Sequence, residues 1–152
     1  MPRWIAGVSG MGAILLVGTL ALSAPEKDPL KPRVPADQME EAKKLSTSLF
    51  KDAKQASADI VKEGKVLYDG KGTCFNCHGK SGKGDGPAGA MLDPVPRDLT
   101  NCEFQKKRTD GELFWVIKNG SPGTGMVALM PGSVNEEEAW KIIAYVRSLC
   151  KS

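Results

Sequence analysis

Every periodic stretch of this sequence carries helical spacing, and that predicts an all-α fold. Apolar residues recur at three- and four-residue steps in four segments, and two of these open on a capping residue with a glutamate three positions later. The stretch around which the chain is organised is Cys74-Phe75-Asn76-Cys77-His78. Two thiols three apart with a histidine next in line match a c-type haem attachment site.

The N-terminus reads as an export segment. Met1-Pro2-Arg3 is a short positive region, and Trp4 to Leu22 carries no charge and is mostly apolar. Cleavage is expected after Ser23, which places Ala21 at the minus-three position and makes residues 1–23 a signal peptide; an uncleaved anchor is the alternative, since the run is long enough to span a bilayer. Residues 24–56 are expected to hold a linker and an extra helix. Four prolines alternate with charges from Pro25 to Pro35, favouring extended backbone, and Ala42, Leu45, Leu49 and Ala53 mark a thin apolar stripe on a helix from Ala36 to Ala56. That helix packs on the following domain or stands off it as a spacer.

The principal domain is expected over residues 57–152. Ser57 is an N-cap for a helix whose face carries Ile60, Val61, Gly64, Leu67 and Tyr68. A glycine inside a helix costs about 1 kcal/mol relative to alanine, so Gly64 implies close approach of another backbone, and the last helix is the expected partner. That helix begins at the Asn135/Glu138 pair and runs through Ala139, Ile142, Ile143, Val146 and Leu149 to Cys150. A helix between them opens on Thr109/Glu112, buries Leu113, Phe114 and Ile117, and ends at Asn119-Gly120. Residues 79–96 are rich in glycine and then proline, with no period, and read as a loop; a loop of such length inside a compact domain signals a functional wrap or disorder.

Composition narrows the function classes. With 152 residues, 41% hydrophobic and 26% charged, the chain fits one globular domain with terminal extras. A net charge of +3, with lysines interspersed among acids, argues against a nucleic-acid binder. Four cysteines agree with an oxidising compartment outside the cytoplasm.

The spacing of the pentapeptide has a mechanical reason. Cysteines at i and i+3 lie on one face of a helical turn, so both sulfurs can reach neighbouring vinyl groups of one porphyrin, and the imidazole of His78 then falls under the iron. A thioredoxin-like dithiol would be expected near a βαβ pattern, and a zinc site would need four ligands. Neither context is present, because His78 is the one histidine and Cys102 and Cys150 stand alone. With one histidine, bis-histidine ligation within a monomer is impossible, so a methionine is the next choice for the distal side. Met126, in the glycine-rich segment Gly123-Thr124-Gly125, is the first candidate; Met130 is the second, and an open or lysine-filled site the third. Met91 reads as loop packing. Cys102 and Cys150 remain after haem attachment and are expected to form a disulfide, the alternative being two free thiols.

From Ser57 to Leu149 the chain resembles the class I c-type cytochromes. Cys74 to His78 follows a helix carrying Gly64 and Tyr68, which resemble the family's glycine and aromatic at the crossing of first and last helices. Ile142-Ile143-Ala144-Tyr145 resembles the other side of that crossing, and Gly86-Pro87 sits where the family places the proline whose carbonyl accepts from the haem histidine. Gly123-Thr124-Gly125-Met126 resembles the segment that brings methionine to iron, although Val127 follows where proline is common and Met130-Pro131 comes four residues later. The resemblance implies a cytochrome c fold, with three core helices and loops wrapped around one covalent haem, to which this chain adds an N-terminal helix. It implies haem c held by Cys74 and Cys77, with His78 and Met126 on iron. The expected role is periplasmic electron transfer between redox partner proteins, without catalytic residues and with membrane contact only if the N-terminal segment is uncleaved. The alternatives are a membrane-anchored haem subunit of a respiratory complex and, less expected, a peroxidase-type enzyme, for which no second histidine is available as acid or base. Lys71, Lys80, Lys83, Lys106, Lys107 and Arg108 read either as a surface steering an acidic partner or as a solvated rim.

Overall fold

The computed structural model describes Met1 and residues 28–151; the rest of the expected export segment and its cleavage site after Ser23 lie outside them. Among the described residues there are six α-helices and no strand, and no helix is long and apolar enough to cross a membrane. The helices are α1 (Met39–Lys44), α2 (Ala58–Asp69), α3 (Phe75–His78), α4 (Cys102–Lys107), α5 (Asp110–Asn119) and α6 (Glu136–Ser148).

The helix boundaries follow the capping chemistry. Ser57 caps α2 by accepting from the Ile60 N–H, and both expected capping boxes form, at Thr109/Glu112 on α5 and Asn135/Glu138 on α6. Gly120 closes α5 with φ 78°, a conformation open to glycine and strained for other residues.

The frame of the domain is the crossing of α2 with α6. A Cβ built on Gly64 would lie 1.9 Å from the Lys141 carbonyl oxygen and 3.1 Å from Tyr145 Cβ, so only glycine lets the two backbones meet. Tyr68 and Tyr145 pack edge to face beside this contact at 5.1 Å. Below it, Trp140 stacks on Phe114 at 4.3 Å and takes Phe50 at its edge, while Ile142, Ile143 and Ala139 are fully buried. Gly64→Ala is expected to cost about 1 to 3 kcal/mol, because the new methyl must force backbone apart. Denaturant midpoints of the two proteins measure this, and an unchanged midpoint would mean that the crossing has slack.

The N-terminal segment departs from the sequence expectation. The helix expected from Ala36 to Ala56 is broken: α1 ends at Lys44, Leu45 turns extended, and only a single 3-10 turn, Ala53–Gln55, follows. The intervening Ser46-Thr47-Ser48 offers hydroxyls that compete with helical bonding, as where Leu49 N–H donates to Thr47 Oγ1. The segment does not stand off. Ala42 is buried against α5, where a Cβ on Gly111 would lie 2.1 Å from the Ala42 carbonyl, and Ala53 N–H donates to Asp110 at 2.8 Å. The stretch expected as a linker is likewise bound along the domain over residues 28–35. Val34 is buried, and the carbonyls of Leu30 and Lys31 accept from Arg108 and Arg97.

Helix α4 was not marked by any period, being only six residues long, and it starts at the Asn101 cap. Cys102 at its start is bonded to Cys150 just beyond α6, with 5.2 Å between the Cα atoms. A bond across 48 residues restricts the unfolded chain, so replacing both cysteines by serine should lower stability by about 2 to 4 kcal/mol. Urea unfolding of the double variant measures the loss.

Candidate functional site

The attachment turn is built by its own short helix and by the loop folded back over it. Cys74 opens α3 and Gly79 closes it at φ 75°, with Tyr68 Oη donating to the Gly79 carbonyl at 2.8 Å from a buried position. The carbonyls left over by so short a helix are taken up by the glycine-rich loop. Ala88 N–H donates to Asn76 O, Gly86 N–H to Cys77 O and Gly84 N–H to His78 O, at 2.8 to 3.1 Å. A Cβ on Gly86 would meet the Phe75 and Asn76 carbonyls at 2.5 and 2.4 Å, so the close wrap requires glycine there. The loop expected from residues 79–96 is therefore an ordered wrap with one 3-10 turn, Gly89–Met91, although Met91 itself is 88% exposed and does not pack as expected.

Cys74, Cys77, His78 and Met126 all line one cavity of about 1130 Å³ between α2, α5, α6 and the loops. Its volume exceeds the range of about 300 to 1,000 Å³ that holds most small ligands. Apolar side chains such as Leu99, Phe104, Leu113, Ile117 and Ile142 form much of its wall. Met130 does not line it; it packs against the core instead. Met126 is held in place by a tight turn in which Thr124 Oγ1 accepts from Met126 N–H at 3.1 Å and Ser121 N–H donates to Met126 O at 2.9 Å. Gly120 makes room for that turn, since its Cβ would fall 2.8 Å from the Met126 carbonyl.

His78 Nδ1 lies 2.9 Å from a backbone carbonyl, which fixes the ring plane and leaves Nε2 available as a ligand. The acceptor is Arg97 O, and the expectation of the Pro87 carbonyl is corrected. Gly86 instead packs against the attachment turn, its N–H donating to Cys77 O, whereas the chain after Pro96 brings the Arg97 carbonyl to the imidazole. Burial lowers the His78 pKa, which favours the neutral imidazole, the form able to bind a metal. Burial also pushes the Cys74 thiol up to about 12, the opposite of the depressed value that a redox-active dithiol needs.

Two of the arginines that line the cavity were not singled out as site residues by any sequence motif. Arg33 reaches it from the N-terminal segment, Arg97 from the long loop; Arg108, noted above only as surface charge, reaches it from the entry to α5. Arg97 is lowered to about 10, first by burial and then by the charges of Arg33 and Arg108. Arg108 Nε is buried without a hydrogen-bond partner among the described residues. Two thiols, an imidazole and a thioether around an apolar cavity, with half-buried guanidinium groups in its lining, fit a haem with its flat apolar ring and anionic edge.

Residues 59–146 match the family described as cytochrome C oxidase, cbb3-type, subunit III. No curated protein matches the chain. Among solved structures, a chain of the Kuenenia stuttgartiensis reducing HAO-like protein complex is 28% identical, with a TM-score of 0.55 over 62% of this chain and 46% of that one. The chain thus spans less than half the length of that relative. The c-type cytochrome KustC0563 is 25% identical, with a TM-score of 0.49 over 58% of this chain and 98% of that one.

Proposed function

This chain belongs to the family of cbb3-type cytochrome c oxidase subunit III, whose domain is a c-type cytochrome carrying covalent haem c, and from that premise we propose that it is a single-haem electron carrier of the periplasm. Cys74 and Cys77 would hold the haem as thioethers, and His78 Nε2 and the Met126 sulfur would be the ligands this chain gives its iron. The bound haem supplies an iron that alternates between ferrous and ferric. The residues of the chain supply the rest: the Arg97 carbonyl fixes the imidazole, the Ser121–Met126 turn presents the thioether, and the apolar wall keeps water from the ring. A methionine ligand and an apolar surround both favour the ferrous form and so raise the potential. The observation that carries this reading is that His78 and Met126, far apart in sequence, line the same cavity while Met130 does not. With His78 and Met126 both given to the iron, the haem would offer a substrate no open site, and no turnover of its own is expected of the chain.

The family description and the relative in a multi-protein complex favour a second reading, a haem subunit within a larger redox assembly. Cytochrome c domains typically lie outside the cytoplasm, which both readings share. Mass spectrometry of the native protein separates them. A haem-loaded chain beginning at Ala24 supports the periplasmic carrier, and one retaining residues 1–23 supports the anchored subunit. Substrate-saturable turnover by the purified protein, with Met126 still on iron and no redox partner present, would overturn both.

The docking surface is narrower than the lysine count suggests. Lys71 is paired with Glu138 at 2.8 Å and Lys106 with Glu103 at 3.1 Å, whereas Lys80 and Lys83 are exposed beside the attachment turn and Lys83 lines the haem cavity. Reversing Lys80 and Lys83 together should slow reduction by an acidic partner about tenfold or more at low ionic strength. The effect should fade as salt shortens the screening length to below about 10 Å. Stopped-flow rates across a salt series test it, and a salt-independent rate would sink the steering role.

A further inference from the structure

The strap formed by residues 28–34 lies outside the part of the chain that matches the family, which begins at residue 59, yet it forms part of the cavity wall. It is clasped from below by two arginines: Arg97 Nη2 donates to Lys31 O at 2.7 Å, and Arg108 Nη2 donates to Leu30 O. Val34 anchors its end by burial, and Asp28 Oδ1 accepts from Leu30 N–H at 2.7 Å while its charge also acts on Arg97. Arg33 then lines the cavity together with the two arginines that clasp the strap.

Three like charges gathered at a partly desolvated wall repel one another unless anions sit among them. Glu112 answers only in part, because it stands 3.6 Å from Arg108 while its other oxygen caps Thr109 N–H. Arg108 Nε has no hydrogen-bond partner among the described residues. Arg97 is held over the Phe104 ring at 4.8 Å, so its plane is fixed at the cavity wall. Asp28, Asp93 and Asp98 line the same cavity, so what marks a ligand there is the buried Nε of Arg108, unpartnered among the described residues, beside Arg97 and Arg33.

We propose that residues 28–34 are a strap belonging to the haem site, and that Arg33 joins Arg97 and Arg108 in a guanidinium cluster that binds the two propionate carboxylates of the haem. This rests on the carrier reading above and goes beyond it, since it assigns the N-terminal segment to the cofactor. Arginine suits the task because its fixed fork of donors pairs with carboxylates and keeps its charge when buried. Compensated carboxylates stabilise ferric iron less than free ones do, so the strap raises the potential.

Redox titration of the haem-loaded protein at fixed pH and salt tests the assignment. Arg33→Gln should lower the midpoint potential, Arg33→Glu should lower it further, and Arg33→Lys should restore most of the wild-type value. Lys51→Glu reverses a charge on an exposed residue outside the cavity and sets the size of the unspecific effect. Hydrogen exchange gives a readout independent of electron transfer: Arg97→Gln removes the donor to Lys31 O and should speed exchange across residues 28–34. A shift for Arg33→Glu no larger than that for Lys51→Glu, with haem attached and the methionine–iron absorption band intact, overturns the inference alone. A chain that carries no covalent haem mass overturns the carrier reading on which it rests.

Discussion

Replacing Met126 by alanine is expected to convert a six-coordinate, low-spin haem protein into one whose iron binds carbon monoxide. The weak long-wavelength ferric band from methionine sulfur on iron should disappear, and the potential should fall within the range of about 0.8 V that axial ligands control. The expectation follows from the loop that carries the residue. Thr124 and Ser121 fix the Met126 backbone from both sides, and Leu129 N–H donates to Ile117 O at 3.0 Å, tying the far end of the loop to α5. Removing the thioether therefore opens a site without loosening the frame around it. Met130→Ala should leave the band in place, since Met130 packs into the core beside the cavity and costs only stability. Loss of the band in Met130→Ala together with its survival in Met126→Ala would reverse the assignment. Electron exchange with a partner should slow in Met126→Ala as well, because a site that gains or loses a ligand on each cycle must reorganise.

What the sequence made legible was local. Capping boxes act across three residues, the two cysteines and His78 occupy one turn, and Gly64 stands out because glycine is costly inside a helix unless a backbone crosses it. Each of these signals needs only neighbours in the chain. The misses depend on distant ones. The acceptor for His78 lies 19 residues away, and which carbonyl reaches the ring is decided by how the loop wraps α3. Helix α4 is too short to show a period, and its place is set by Gln105, whose side-chain amide donates to Leu99 O and Val146 O at 2.7 Å. The stripe from Ala42 to Ala53 was real, yet the serine-threonine run between its halves turned one helix into two docking points. The proline-rich stretch carried no sign of attachment, because its bonds use backbone carbonyls, which every sequence has.

Arg147 holds together what those distant contacts assemble, and its replacement by methionine is expected to cost about 3 to 5 kcal/mol, the largest stability loss argued for this chain. The residue sits on α6 with 4% of its surface exposed. Its Nε donates to Asp110 at 2.6 Å, its Nη1 to the backbone and side-chain oxygens of Gln105 at 2.6 and 3.1 Å, and its Nη2 to Arg108 O at 2.6 Å. One guanidinium thus satisfies four oxygens at the junction of α4, α5 and α6. Methionine preserves much of the apolar stem but none of the donors, so these oxygens lose their partner where water reaches them poorly. Asp110 passes the effect outward. Its other oxygen accepts from Ala53 N–H, so the N-terminal segment should loosen with the network, visible as faster hydrogen exchange near Ala53. Arg147→Lys should recover little, because an ammonium cannot reach oxygens arranged around a planar fork. Guanidinium unfolding of the haem-loaded variants measures the cost, and a loss below about 1 kcal/mol for Arg147→Met would show that packing alone, and not the network, fixes the junction.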